Sequence, residues 1–144
     1  QDSVGSQHAE SEERERFGWI AHGLLATLAW AFAAPFAISA AIIRSVFPSG
    51  WFYVHMVTNI TCFILTLAAF TIAVANKSRS TNPEHFTEVH HIVGLGITIA
   101  VALQVASGFI RPQAEHSESR KCCSKRNLWE YAHKVLGRLL ILLS

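Results

Sequence analysis

Residues 18–43, 51–76 and 92–110 contain no lysine, arginine, aspartate or glutamate, and a shorter apolar run, broken by Arg138, closes the chain over 135–143. Uncharged stretches of this length constrain the fold more than any motif does. A bilayer core about 30 Å thick is crossed by roughly 20 helical residues, which the first two runs exceed and the third just reaches. In hydrocarbon no water is at hand for backbone amides, so each run must bond its own N–H and C=O groups as a helix. The chain of 144 residues is 51% hydrophobic and 15% charged, with a mean hydropathy of +0.29. That balance argues against a soluble globular domain of this size. Helices are predicted at about 18–46, 51–77, 88–110 and 127–144. Between them Pro48-Ser49-Gly50 makes a tight turn, Ser78 to Pro83 a polar one, and Pro112 to Arg126 a longer charged loop. Short connections make consecutive helices antiparallel neighbours, so the expected fold is an all-α transmembrane antiparallel four-helix bundle. Because the fourth run is still apolar at Ser144, it is read as a fragment of a larger five- or six-helix domain.

Residues 1–17 are expected to form a polar extramembrane segment. They are rich in Ser and Glu, without the apolar core of a signal peptide, and further chain is expected upstream. Orientation follows from the basic residues near the span ends. The N-terminus and second loop carry Arg14, Arg16, Lys77 and Arg79. The first and third loops carry Arg44, Arg111, Arg120, Lys121, Lys125 and Arg126. The denser cluster places those two loops in the cytoplasm and the N-terminus outside. Cys62 falls inside the second apolar run, while the adjacent Cys122 and Cys123 are expected to be free thiols on the reducing side, with palmitoylation as the alternative.

Eight histidines are present, and those within or at the ends of apolar helices are His22, His55, His90, His91 and His133. An ionisable side chain in a span is costly and faces the bundle interior, where it usually has a task. His22, His55, His90 and His133 each lie one to two turns from the start of their predicted helix, one per helix. Since consecutive helices alternate in direction, His22 and His90 share one depth and His55 and His133 another. One imidazole on each side of a macrocycle is what bis-histidine haem ligation requires, and two such pairs supply it twice. A single bare metal ion would want more ligands at one level.

Helical phase, at about 100° per residue, groups His90, Gly94, Gln104 and Gly108 on one face, with His91 rotated off it. His55, Asn59, Cys62 and Thr66 form a similar polar face on the second helix. Gly94 follows His90 by one turn and Gly137 follows His133 by one turn, removing side chains where a porphyrin would lie, although small residues also serve plain packing. Ala26, Ala29, Ala33 and Ala40 share the face of His22; close helix packing explains them equally well. Trp19, Trp51 and Trp129 near helix ends read as interfacial belt residues rather than electron relays.

These residues resemble the cytochrome b561 family, in particular its branch associated with DOMON domains and ferric-chelate-reductase-like proteins. The resemblance rests on His22-Gly23 with Trp30, Pro35 and Arg44; on WFYVH around His55; on HHIVG through QVASGFIRP from His90 to Pro112; and on WEYAHKVLGR around His133. It implies two haem b groups, with axial pairs His22/His90 on an outer haem and His55/His133 on an inner one. It further implies electron transfer from cytosolic ascorbate to an external acceptor such as ferric iron or monodehydroascorbate, a transmembrane oxidoreductase of ferrireductase-like type. Arg44, Arg111, Lys125 and Arg126 are the candidate contacts for an ascorbate anion or a haem edge.

The partners this reading implies are the lipid bilayer, a cytosolic donor, an extracellular acceptor and, as a further option, a second copy in a homodimer; nothing points to nucleic acid. Two other readings stand beside it. One is an electron conduit serving an attached extracellular DOMON-like redox domain. The other is a haem-free four-helix membrane protein that uses its histidines for protons or packing.

Overall fold

The computed structural model describes residues 2–80, 85–112 and 125–144, with side chains described from residue 5 onward. Among them the secondary structure is entirely helical, and three helices are long and apolar enough to cross a membrane. The protein is therefore a helical membrane bundle. The first span runs from Gly5 to Ser45 as α1 (Asp2–Thr27), a π-helical turn (Leu28–Ala33), α2 (Ala34–Ile42) and a final 3₁₀ turn. The other helices are α3 (Trp51–Arg79), α4 (Val89–Phe109) and α5 (Lys125–Leu143). Cys122, Cys123, Arg120 and Lys121 lie outside the described residues, as does most of the charged loop.

Three of the four predicted helices keep their expected ends within about two residues, but the first begins at Asp2 rather than near residue 18. Polarity was a sound guide to exposure, since residues 5–14 are all exposed. Conformation follows a different rule. Residues 9–16 are mainly Ala, Glu and Arg, which are strong helix formers, and Glu10–Arg14 and Glu12–Arg16 have the (i, i+4) spacing that supports a solvated helix. The first helix therefore continues past its apolar part, and His22 lies well inside it rather than near its start.

Pro35 accounts for the π turn. It cannot donate to the carbonyl four residues earlier, and its ring crowds that carbonyl. The helix widens just before it, and the Ala34 N–H reaches back five residues to the Ala29 oxygen. The same Ala29 carbonyl accepts the Cys62 thiol at 3.4 Å, so the widened turn is tied to α3.

The first span and α3 pack antiparallel. Contacts run in opposite order along the two helices: Asn76 Nδ2 donates to Glu15 O at 2.8 Å, His22 meets Ala69, Cys62 meets Ala29, and His55 meets Ala37. Ala29 and Ala37 are wholly buried and Ala40 nearly so. These alanines thus serve close approach to α3, and the polar stripe of Asn59, Cys62 and Thr66 faces the same seam. Buried Thr66 satisfies its hydroxyl on the Cys62 carbonyl. Next around the bundle α3 packs on α4 and α4 on α5, while Ile141 of α5 closes against the Ala29–Ala34 cluster of the first span. Four helices around a square leave two diagonals: the first span with α4, and α3 with α5.

The close approach at the α1 end depends on Gly18, which is buried. A Cβ there would run into the Asn76 side-chain amide, which is itself buried and held by Glu15 O. Gly18→Ala should cost about 1–3 kcal/mol through overpacking. Thermal unfolding in detergent should show that cost shrinking in an Asn76→Ala background, because the two substitutions share one contact.

Candidate functional site

Both diagonals of the bundle are occupied by histidines facing one another. The His22 and His90 rings, across the first diagonal, have centroids 6.1 Å apart and planes crossed at 87°. The His55 and His133 rings, across the second, are 6.4 Å apart and crossed at 63°. Two imidazoles flanking one iron, each nitrogen about 2.0 Å from the metal and about 1.1 Å from its own ring centre, place their centroids roughly 6.2 Å apart. Both separations match that spacing. Among the described residues no three His, Cys, Asp or Glu side chains converge to hold a bare ion, and each pair offers the two imidazoles that a planar group with two axial ligands would need.

Ring orientation is set by hydrogen bonds at Nδ1. His22 Nδ1–H donates to Ala69 O at 2.9 Å, and His55 Nδ1–H donates to Ala37 O at 2.8 Å. A carbonyl can only accept, so each bond fixes the Nδ1–H tautomer and leaves Nε2 with its lone pair free. His133 achieves the same through a side chain. Ser107 gives its hydroxyl proton to Gln104 O at 2.7 Å, and its oxygen then receives His133 Nδ1–H at 2.9 Å. Three of the four histidines thus keep Nε2 available as a donor atom.

The two pairs are well separated along the bundle axis. His22 bonds at the level of Ala69, and His55 precedes Ala69 by fourteen residues on α3, about 21 Å of helix. Against a hydrocarbon core of about 30 Å, the pairs sit toward opposite faces.

A cavity of about 610 Å³ opens at the His55 and His133 end, a size suited to a cofactor or drug-sized ligand. Gly108 and Gly137 line it with both histidines. A Cβ added at Gly108 or Gly94 would meet nothing within 4 Å, and at Gly108 the open space is the cavity itself. Gly137 differs, because its Cβ would lie 3.0 Å from Gln104 Nε2. The room it leaves is taken by that amide.

Arg44 and Arg111 both line the cavity, whereas Lys125 and Arg126, at the start of α5, do not. Lys134 and Arg138 take their place, with Glu130 between the charges through a 2.5 Å ion pair to Lys134. The (i, i+4) spacing of Glu130, Lys134 and Arg138 was the available signal. Arg111 lies near two rings, its guanidinium 5.9 Å from Phe52 and 5.8 Å from Trp129.

The tryptophans also do more than mark an interface. Trp129 stacks on His133 at 4.9 Å and 18° and donates Nε1–H to Ser107 O at 3.0 Å. Trp19 meets His22 edge-on at 6.3 Å and Trp51 meets His55 at 6.5 Å. His22, His55 and His133 each have a tryptophan one helical turn before them, whereas His90 has none. His91 is half-buried beside His90, and its Nδ1 is buried without a hydrogen-bond partner among the described residues.

The sequence profile of eukaryotic cytochrome b561 matches residues 21–144. The chain belongs to the cytochrome b561 family. It is accordingly an integral membrane cytochrome that binds haem b. Curated relatives include a cytochrome b561, DM13 and DOMON domain-containing protein of Arabidopsis thaliana, 28% identical over 93% of this chain and 14% of the relative. A cytochrome b561 and DOMON domain-containing protein of the same plant is 32% identical over 82% of this chain and 27% of its own length. A third, a cytochrome b561 domain-containing protein, is 27% identical over 64% of this chain and 31% of its own. The chain spans less than a third of the length of each. No solved structure matches it.

If the glycines beside the two pairs border the cofactor space of this b561 bundle, Gly94→Leu and Gly108→Leu should each lower the haem bound per chain. Gly96→Leu, on another face of α4, should leave it unchanged. A pyridine haemochromogen assay on purified variants makes the comparison.

Proposed function

We propose that this chain carries electrons across the bilayer through two b haems, one held by His22 and His90 and the other by His55 and His133. The observation that supports this best is the pair of ring separations, 6.1 and 6.4 Å, at two levels about 21 Å apart along α3. Haem b, when bound, supplies reversible one-electron iron chemistry. The chain's own residues do the rest. Ala69 O, Ala37 O and the Ser107 hydroxyl hold three imidazoles in the ligating tautomer. Apolar residues on the seams keep water away.

The His55 end faces the cytoplasm in this reading, because Arg44, Arg111 and the basic loop belong there by the positive-inside bias. Arg44, Arg111, Lys134 and Arg138 around the cavity exceed the one carboxylate of Glu130 and favour an anionic donor, for which ascorbate is the proposed identity. Lys125 and Arg126, nearby at the head of α5, would add to the attraction at longer range. At the opposite face the acceptor is a ferric species or monodehydroascorbate, which makes the protein a transmembrane oxidoreductase. A conduit role is the second reading. It is favoured by relatives named for DOMON domains that this chain does not span, and there the electron would pass to an attached extracellular domain.

Redox titration of the detergent-purified protein should resolve two haem components. His22→Ala or His90→Ala should abolish one, and His55→Ala or His133→Ala the other. Loss of both from every variant would count against the pairing, and absence of a haem α-band after dithionite would sink the haem reading altogether. On vesicles exposing the His55 face, ascorbate should reduce the haem, and Arg111→Gln should weaken the half-saturating concentration about tenfold, as expected for one lost charge-assisted contact.

A further inference from the structure

The four candidate ligands are not held alike. His22 and His55 donate to main-chain carbonyls, which no substitution at those positions would remove. His133 instead depends on side chains contributed by α4. Ser107 Oγ takes its Nδ1–H at 2.9 Å, and Gln104 Nε2 donates to its main-chain oxygen at 2.8 Å. Gln104 and Ser107 are themselves joined, since the Ser107 hydroxyl donates to Gln104 O.

Gly137 belongs to the same arrangement. The His133 carbonyl is already within the α5 helix, where its ordinary acceptor role is toward the N–H four residues on, at Gly137. A second donor can reach that carbonyl only alongside residue 137. A Cβ there would come to 3.0 Å from Gln104 Nε2, tighter than ordinary contact. The four-residue spacing between His133 and Gly137 is therefore what admits the Gln104 amide. Trp129 completes the grip by stacking on the imidazole at 4.9 Å and bonding Ser107 O. Gln104 is nearly buried, and its Oε1 has no partner among the described residues. An amide left half-satisfied in hydrocarbon carries a cost, and its retained bond to the ligand-bearing turn is what offsets it.

We infer that Gln104 and Ser107, admitted by Gly137, are positioning residues that clamp His133 from α4 and set the donor strength of its imidazole. The inference rests on the haem reading above. An Nδ1–H that donates to an oxygen makes the opposite nitrogen a better donor, which favours the oxidised metal. Ser107→Ala removes that acceptor, so the haem served by His133 should be bound about 10- to 100-fold more weakly in its ferric form, the range for loss of such a partner. Its midpoint potential should rise by about 59 mV for each tenfold loss that the ferrous form does not share. Ser107→Thr keeps the hydroxyl and should restore the wild-type potential. Gln104→Leu and Gly137→Ala should each alter the same component, and their combination should be no worse than the larger single effect, because both remove one contact.

Redox titration of haem-loaded protein, read by both midpoints together with low-temperature electron paramagnetic resonance of each ferric signal, tests this. A shift confined to the component that His133→Ala abolishes, restored by Ser107→Thr, supports the clamp. Unchanged midpoints and signals in Ser107→Ala, equal shifts in both components, or additive effects of Gln104→Leu and Gly137→Ala would overturn it. Failure of the haem reading shows separately, as wild-type protein lacking two haem components before any of these variants is made.

Discussion

An imidazole N–H inside hydrocarbon has no water to bond, so His22, His55 and His133 give theirs to protein groups, and the choice of that group fixes the ring. For His22 and His55 the acceptor is a carbonyl on the facing helix of the first-span/α3 seam. Each bond therefore joins two helices, sets a tautomer and leaves Nε2 without the proton. The close approach that makes these bonds comes from alanines at Ala29, Ala37 and Ala40 and from Gly18 beside Asn76. Packing and ligand geometry are consequently one problem, since a wider seam would lose the carbonyls that orient the rings.

Much of this frame was legible in the sequence. Uncharged runs gave the spans, because charge in hydrocarbon is costly and its absence over 19 or more residues is hard to maintain otherwise. The juxtaposition of His22 with His90 and of His55 with His133 could be anticipated from alternating helix direction alone. Other features depended on three-dimensional detail that period and composition do not carry. The helical state of residues 5–17 was obscured because polarity reports exposure, not conformation; the spacing of Glu and Arg held the signal. Pro35 forecast an irregularity but not a π turn. The residues that bring charge to the cavity, Lys134 and Arg138 rather than Lys125 and Arg126, follow from the phase of α5. Gly137 looked like space for a planar group, and the structure gives that space to Gln104. Ser107 and the stack of Trp129 on His133 required knowing how α4 and α5 are rotated toward each other.

The charges at the two ends differ in kind. At the His22 end, Trp19 and Glu15 lie against a solvated helix, and Trp19 Nε1–H reaches the Glu15 carboxylate at 3.4 Å. At the His55 end four basic residues surround a cavity with one carboxylate, and that carboxylate is engaged by Lys134. Cations beside a low-dielectric cleft act at greater strength than in water. An anion would be drawn to this end, and an added electron near it would be stabilised by the same charges.

Topology explains why the histidines lie where they do. Adjacent helices pack at about 8–10 Å between axes, with side chains interlocked, which leaves no room for a macrocycle. The diagonal of such a square is about 1.4 times as long. Only there can two imidazoles stand off by the roughly 6 Å that a shared metal needs while their helices stay packed on common neighbours. In an up-down-up-down chain the diagonal partners are the first and third helices and the second and fourth, and each such pair runs parallel. Histidines placed near the start of every apolar run therefore fall into two pairs at two depths. One repeated sequence choice, a histidine near the start of each apolar run, is enough to place a pair toward each face of the membrane.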